Sequence, residues 1–300
     1  MKRDYTAEIT QSIIDAIEAG ATADKWQAPW HRGTAEGMPV NAITGNEYSG
    51  INVLIFGMAG LRFETNEWAT FNQWKNAGTP VKKGERGTKF VYYSTFNKET
   101  GNVVNGEPEI AAIPFLKVYT AFNADQVEGR EANSGREALP DLVERQAQAD
   151  RFIAATGADI HHGGARAFYR PLTDEIHMPS RERFRQVGET SPTEGYYSTL
   201  LHELTHWTGA KHRLDRLNMG ARFGDNAYAF EELIAELGAA FLCRKLRIST
   251  APREDHAQYL DSWLKALKAN PKYLFKAAAA AQKAVEHLDG LQAQDIAKAA

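Results

Sequence analysis

Apolar residues recur at helical spacing near the start of the chain. Ile9, Ile13, Ile14 and Ile17 follow one another at intervals that fit one helix face, which predicts an amphipathic helix ending near Gly20. The other elements predicted in this half are helices at residues 51–58 and 66–76 and strands at residues 89–93 and 115–119. The first half is therefore expected to be α+β.

Helical spacing dominates the second half. The predicted elements are helices at residues 140–156, 192–208, 227–245, 259–267 and 272–288 and strands at residues 167–169 and 175–178. Ser191 as N-cap, Pro192 in the first turn and Gly209 at the end define the central helix. We expect an α+β chain of two domains, at residues 1–128 and 140–300, joined by a polar linker at residues 129–139.

Composition excludes several classes of protein. The 300 residues are 43% hydrophobic and 24% charged, as in ordinary globular domains. No apolar run is long enough to span a membrane, and the N-terminus lacks the apolar core of a signal peptide. The single cysteine, Cys243, excludes an intramolecular disulfide and is expected to be inert packing. We expect a cytoplasmic protein without a membrane partner.

The strongest chemical signal is an H-E-x-x-H pattern formed by His202, Glu203 and His206 on the central helix. Spacing of four residues puts both imidazoles on one helix face, where they can bind one Zn²⁺. Glu203 is suited to deprotonate the water that such a metal activates. The pattern predicts a zinc metallopeptidase; the alternative is a pair of surface histidines without a metal.

Two parts of the sequence offer candidates for the third metal ligand. Catalytic zinc takes three protein ligands and a water, and His212 follows His206 at the spacing of a longer three-histidine pattern. The next helix offers Glu231, Glu232 and Glu236 instead. We favour Glu232 as the ligand, with Glu236 supporting a histidine from behind. Glu231, Glu236 and His212 stay as alternatives.

A basic and aromatic segment between residues 75 and 98 is the nucleic-acid signal. This segment contains six cationic side chains and only one carboxylate. The whole chain has a net charge of −3, which excludes a globally basic protein. Cations beside aromatic rings are typical of sequence-tolerant binding to single strands. The candidate contacts are Lys75, Lys82, Lys83, Arg86, Lys89, Trp74, Tyr92 and Tyr93. The alternative is a solvated hairpin loop with aromatic residues in the core. A second aromatic cluster, Trp26, Trp30 and His31, is expected to be local core or a loop staple, with a platform for stacking bases as the alternative.

The order of short motifs along the chain resembles that of the ArdC-type antirestriction proteins of conjugative plasmids. The matching stretches are residues 39–45, 48–52, 81–87, 118–123, 169–179, 202–206 and 231–238. The resemblance covers nearly the whole chain outside the linker. It implies an N-terminal single-stranded-DNA-binding domain, similar to the N-terminal region of plasmid primases, and a mostly helical zincin-like metallopeptidase domain with a small sheet. It also favours glutamate as third ligand and implies that residues 175–179 form the edge strand along the metal cleft.

The function expected from this resemblance is protection of incoming plasmid DNA from host restriction. The implied cofactor is Zn²⁺, with another divalent metal such as Mn²⁺ as the alternative, and the implied partners are single-stranded DNA and a host restriction enzyme or other protein substrate. Tyr169 and His177 are candidate donors to a developing oxyanion. Two rival functions are a non-catalytic DNA-coating protein with a structural or vestigial metal and a host-targeted protease without DNA affinity. The presence of Glu203 favours retained hydrolytic chemistry.

Overall fold

The computed structural model describes residues 4–21, 30, 37–104, 107–130, 142–188, 190–217, 226–250 and 256–299. The helices are α1 (Tyr5–Ala21), α2 (Ile51–Gly60), α3 (Phe71–Asn76), α4 (Leu142–Ala155), α5 (Pro192–Thr208), α6 (Asn226–Lys245), α7 (His256–Ala269) and α8 (Lys272–Ala299). The strands are β1 (Val40–Asn41), β2 (Glu67–Thr70), β3 (Thr88–Val104), β4 (Glu107–Asn123), β5 (Asp159–His162), β6 (Phe168–Arg170) and β7 (Glu175–Met178). The predicted α+β class, with a mostly helical second half, is confirmed.

A four-stranded sheet in the order β1-β2-β4-β3 forms the frame of the first half. β3 and β4 make a long antiparallel hairpin, and β2 pairs with β4 and with β1. The prediction of a helix at residues 66–76 is wrong for its first part, because Glu67–Thr70 form strand β2 instead. Trp68 and Ala69 are fully buried in that strand. Thr70 then accepts a hydrogen bond from the Gln73 N–H in a capping box that starts α3.

The second half contains a three-stranded sheet in the order β5-β7-β6. β5 runs parallel to β7, and β6 runs antiparallel to it. The expectation that residues 175–179 form an edge strand is therefore wrong, because β7 is the central strand. β5 was not predicted, since only Ile160 in it is apolar. Ile176 and Met178 are fully buried and join the core.

Helix α5 has the bounds that its capping residues predict. The Ser191 side chain accepts a hydrogen bond from the Glu194 N–H, while the Glu194 carboxylate accepts one from the Ser191 N–H. Pro192 occupies the first turn, and Gly209 caps the C-terminus. This helix is central to the second half and buries most of its side chains between the sheet and the helices α6 and α8.

One hydrophobic cluster extends across both halves of the chain. It includes Ile13 and Ile17 of α1 together with Leu204 of α5 and Trp263 of α7. The Thr10 hydroxyl also donates to the Pro271 carbonyl at 2.8 Å. The predicted domain boundaries thus stay a prediction, and the cores of the two halves are joined.

The predicted core roles of two isolated residues agree with the structure. Trp30 is 1% exposed, and its ring centroid lies 6.0 Å from that of Trp263; Trp26 and His31 lie outside the described residues. Cys243 is buried, and burial raises the pKa of its thiol to about 12. Among the helices described, none is long and apolar enough to cross a membrane.

Candidate metal centre

Two packed helices bring the H-E-x-x-H residues and the following acids together. α5 presents His202 and His206, and α6 presents Glu232 from the facing side. The helices approach closely at Gly238, where an added Cβ would lie 2.5 Å from the Thr205 Cγ2. A residue larger than glycine there would push α6, and with it Glu232, away from the two imidazoles.

Three possible ligand atoms converge in this buried space. The Nε2 atoms of His202 and His206 lie 3.1 Å apart. Each is also 3.6 Å from a Glu232 carboxylate oxygen. Ligands on a tetrahedral zinc with bonds of about 2.0–2.1 Å are separated by about 3.3 Å, so the observed spacing fits a divalent cation at the centre.

Carboxylates behind the two imidazoles fix their orientation. The Nδ1 of His202 lies 3.1 Å from a Glu236 oxygen, and the Nδ1 of His206 lies 3.1 Å from a Glu231 oxygen. Because a carboxylate only accepts, the hydrogen bond to Glu231 places a proton on the Nδ1 of His206 and leaves the lone pair on its Nε2. The predicted support of a histidine by Glu236 has this geometry, and Glu231, an alternative ligand, takes the equivalent position behind His206.

Arg216 completes the support of His206. Its guanidinium binds both oxygens of Glu231, at 2.8 and 2.9 Å, and donates to the Thr205 carbonyl at 2.7 Å. Burial alone would raise the pKa of Glu231, but hydrogen bonds from His206 and Arg216 and the charge of Arg216 lower it below the ordinary value. Sequence reasoning missed Arg216 because nothing in the H-E-x-x-H pattern indicates which loop residue packs behind it.

The other predicted residues of this half occupy three different places. Glu203 is 3% exposed on α5, next to His202 in sequence. His212 is outside the described three-ligand group and lies 3.3 Å from Asp174. Tyr169 donates to Asp174 at 2.7 Å. His177 lies 3.1 Å from a Glu175 oxygen. The oxyanion roles of Tyr169 and His177 stay a prediction, since the contacts described for these two residues are with Asp174 and Glu175.

The predicted DNA-binding residues do not form one surface. Trp74 is fully buried, and its indole N–H donates to the Phe122 carbonyl, so its expected role as a stacking platform is wrong. Tyr92 and Tyr93 are 52% and 66% exposed, on opposite faces of β3. Lys89 pairs with Glu8 at 3.2 Å. Lys75, Lys82, Lys83 and Arg86 are exposed, with the Lys82 ammonium donating to the Asp125 carbonyl.

Strand pairing adds residues that the segment from 75 to 98 does not contain. Tyr92 pairs with Lys117, and Phe90 pairs with Tyr119, so these side chains share one face of the hairpin. The Tyr92 ring centroid lies 6.5 Å from that of Tyr119 and 6.4 Å from that of Phe115. We call Tyr92, Phe115, Lys117 and Tyr119 the hairpin aromatic face. Alternation within residues 115–119 is the signal that could have indicated it.

The fold and the histidine–glutamate cluster define the class of the second half as zincin-like. A family model for zincin-like metallopeptidases matches residues 147–280, and a model for the N-terminal domain of anti-restriction factor ArdC matches residues 3–122. A zincin-like domain implies a divalent metal. The chain belongs to the ArdC family of antirestriction proteins.

Relatives and solved structures agree with this assignment. The protein y4eC of Sinorhizobium fredii is 39% identical over 96% of this chain and 92% of its own length. Two proteins of Escherichia coli called DNA primase TraC are 37% and 34% identical, and the match spans only 27% and 20% of their lengths. Crystal structures of the antirestriction ArdC protein from the R388 plasmid, metal-free and Mn(II)-bound, are 38% identical. They cover 97% of this chain and 99% of theirs, with TM-scores of 0.77 and 0.76.

Proposed function

We propose that this protein protects incoming plasmid DNA from host restriction by combining single-stranded-DNA binding with a metal-dependent peptidase centre. The metal is Zn²⁺, with Mn²⁺ as the alternative, and the protein acts in the cytoplasm. The protein substrate belongs to the host and includes the restriction enzyme as a candidate. Membership in the ArdC family supports the antirestriction role.

The observation that carries the peptidase part is the pair of facing imidazoles. Their Nε2 atoms lie 3.1 Å apart, and the Nδ1 atoms of His206 and His202 lie 3.1 Å from oxygens of Glu231 and Glu236, respectively. Each Nε2 also lies 3.6 Å from a Glu232 oxygen, so two imidazole nitrogens and one carboxylate converge in a buried space. A divalent cation accepts this set of donors and balances the charge of the Glu232 carboxylate, so His202, His206 and Glu232 are the proposed ligands.

Glu203 is the proposed catalytic base of this centre. A divalent metal bound there would polarise a peptide carbonyl and lower the pKa of a water. The Glu203 carboxylate then accepts the proton of the attacking water and returns it to the leaving amine. Its burial at 3% exposure keeps bulk water from competing for that proton. The carboxylates of Glu231 and Glu236 lie behind the Nδ1 atoms of the two proposed ligands and orient their rings, which limits the rearrangement that metal binding requires.

The hairpin aromatic face is the proposed contact for single-stranded DNA. Tyr92 and Tyr119 are 52% and 42% exposed, which leaves ring surface for bases to stack on. The Lys117 ammonium lies 5.3 Å from the Phe115 ring centroid, within the same face, and can neutralise a phosphate. Lys82, Lys83 and Arg86 are exposed and precede β3 in the sequence, and they are further candidate contacts for phosphates. Relatives called DNA primases support a role for this sequence in DNA metabolism.

A Glu203→Gln variant separates the proposed function from its non-catalytic rival. We expect the variant to keep the metal that survives extensive dialysis, because the three ligands are unchanged. We expect it to lose peptidase activity and protection of transferred DNA, since glutamine cannot accept the proton. His202→Ala/His206→Ala should lose the dialysis-resistant metal as well. Full protection by the Glu203→Gln variant would instead support a protein that only coats DNA, and retained metal in the double variant would overturn the ligand assignment.

A further inference from the structure

A second group of metal-binding side chains lies on the exposed face of the small sheet. β5 and β7 are parallel neighbours, and their register pairs Asp159 with Glu175 and His161 with His177. Residues two apart on a strand share a face, so all four side chains project from the same side. The buried Ile176 of β7 lies on the opposite face. This group is separate in sequence from the H-E-x-x-H centre.

Three of these side chains bring possible ligand atoms close together. Ligand atoms of Asp159, His161 and Glu175 lie within 4.8 Å of one another. The Nε2 of His161 is 3.1 Å from an Asp159 oxygen and 4.0 Å from a Glu175 oxygen. One imidazole nitrogen and two carboxylates form a donor set that first-row divalent cations accept.

Neighbouring groups orient this set as in established metal sites. The Nε2 of His177 lies 3.1 Å from the second Glu175 oxygen, which leaves the first oxygen facing His161. The His177 ring is stacked between those of His161 and Phe168, with centroid distances of 5.3 and 4.7 Å. A carboxylate held by a partner and an imidazole held by ring stacking lose little freedom on binding a cation.

We infer that Asp159, His161 and Glu175 form a second divalent-metal site, with His177 positioning Glu175. His161 and Asp159 are 50% and 66% exposed, so the site opens to solvent and keeps water ligands on its cation. It exchanges metal faster than the buried centre and loses it on dialysis. The ligand class is a first-row transition cation such as Zn²⁺, since Ca²⁺ and Mg²⁺ prefer sites built from oxygen alone.

Calorimetric titration of the full chain with Zn²⁺ tests this inference. The His202→Ala/His206→Ala background removes the buried centre and should retain one saturable Zn²⁺ site. Adding His161→Ala or Asp159→Asn, both at exposed positions, should raise the Kd of that site at least about tenfold. The matched control is His212→Ala, because His212 is also an exposed histidine beside a carboxylate, Asp174, but lies outside any described three-ligand group.

The outcomes distinguish a built site from scattered surface binding. An unchanged Kd in the control, together with weaker binding in both test variants, supports the site. Absence of a saturable site in the background, or equal weakening in the control and test variants, overturns it. Thermal midpoints measured without metal should agree among all variants, which shows that a changed Kd does not come from lost folding.

Discussion

Glu232 and His212 compete for the third ligand position, and the geometry separates them. Glu232 lies 3.6 Å from both Nε2 atoms, whereas His212 lies beside Asp174 and Arg213. We expect Glu232→Ala to weaken metal binding much more than His212→Ala does, because only Glu232 contributes a charged ligand atom. Competition with a chromophoric chelator measures both affinities. The reverse ranking would move the site to the three-histidine pattern.

Arg216 is expected to act on the proposed metal site through Glu231 and His206. Replacing it with lysine keeps the positive charge but loses the fork that binds both Glu231 oxygens. Metal affinity should fall roughly 10- to 100-fold, as is typical when the partner behind a ligand is lost. Arg213→Lys is the matched control, since this arginine of the same loop packs on the Trp207 ring and binds Asp174. An equal loss of metal affinity in both variants would show that any change in this loop weakens metal binding.

Single residues differed in how far the sequence could predict their positions. Spacing alone places His202 and His206 on one face, because a helix repeats every 3.6 residues. Choosing Glu232 among the acids depends on how α6 packs against α5, which spacing cannot provide. Trp74 was misplaced because an aromatic residue near cations has the same local pattern whether it faces solvent or the core.

At the scale of elements, the capping box of α5 makes stability depend on pH. Burial raises the pKa of Glu194, but hydrogen bonds from Ser191 and Ser249 outweigh it and hold the pKa below the ordinary 4.5. The charged form is therefore favoured by folding, and its contribution is present above pH 4.5 and lost as pH falls through the folded pKa.

Glu194→Gln tests that dependence. We expect the variant to be about 1 kcal/mol less stable than the parent at neutral pH, because hydrogen bonds to a charged acceptor are stronger than those to a neutral one. The difference should close as pH falls below 4.5. Denaturant unfolding across a pH series measures it, with Glu182→Gln at an exposed position as control. A stability difference between parent and variant that does not vary with pH would show that the charge of Glu194 does not stabilise the fold.

The hairpin β3–β4 is expected to bind single strands through its rings. Tyr92→Ala/Tyr119→Ala should weaken binding of a labelled oligonucleotide by roughly tenfold or more, since each stacked base contributes about 1–3 kcal/mol. Tyr92→Phe/Tyr119→Phe should bind as the parent does, because stacking needs the ring and not the hydroxyl. Phe168→Ala removes an exposed ring from the other half and serves as control. Equal affinities for the parent and the alanine variant would exclude this face.

The cations before β3 are tested in the same anisotropy assay across a salt series. Replacing Lys82, Lys83 and Arg86 with alanine should flatten the salt dependence by about two units if all three contact phosphates, at about 0.7 per phosphate on single strands. An unchanged slope would show that they form a solvated surface.

Elements with strong local signals were predicted best. α5 has its predicted bounds because Ser191, Pro192 and Gly209 each act within one turn. β2 and β5 depend on partners distant in sequence, since β2 pairs with β4 and β5 pairs with β7. Local patterns therefore predicted β2 as helix and missed β5.

At the scale of the whole molecule, the linker composition predicts two separable domains, but the buried residues join them. Ile13 and Ile17 of α1 are almost completely buried in the cluster that holds Leu204 and Trp263. Lys268 of α7 also pairs with Glu18 of α1 at 2.6 Å. Composition detects a polar, glycine-containing stretch between two more apolar parts of the chain. Whether the two halves fold separately depends instead on packing between helices that are distant in sequence.

We therefore expect the full chain to unfold in one calorimetric transition. Metal bound at His202, His206 and Glu232 should raise the midpoint of that single transition, because it stabilises only the folded chain. At a free metal concentration of 100 times Kd, the added stability should be about 2.7 kcal/mol. The His202→Ala/His206→Ala variant, scanned at the same metal concentration, is the control and should gain much less. Two separate transitions, with a metal-dependent midpoint in only one of them, would show that the halves unfold independently despite the shared core.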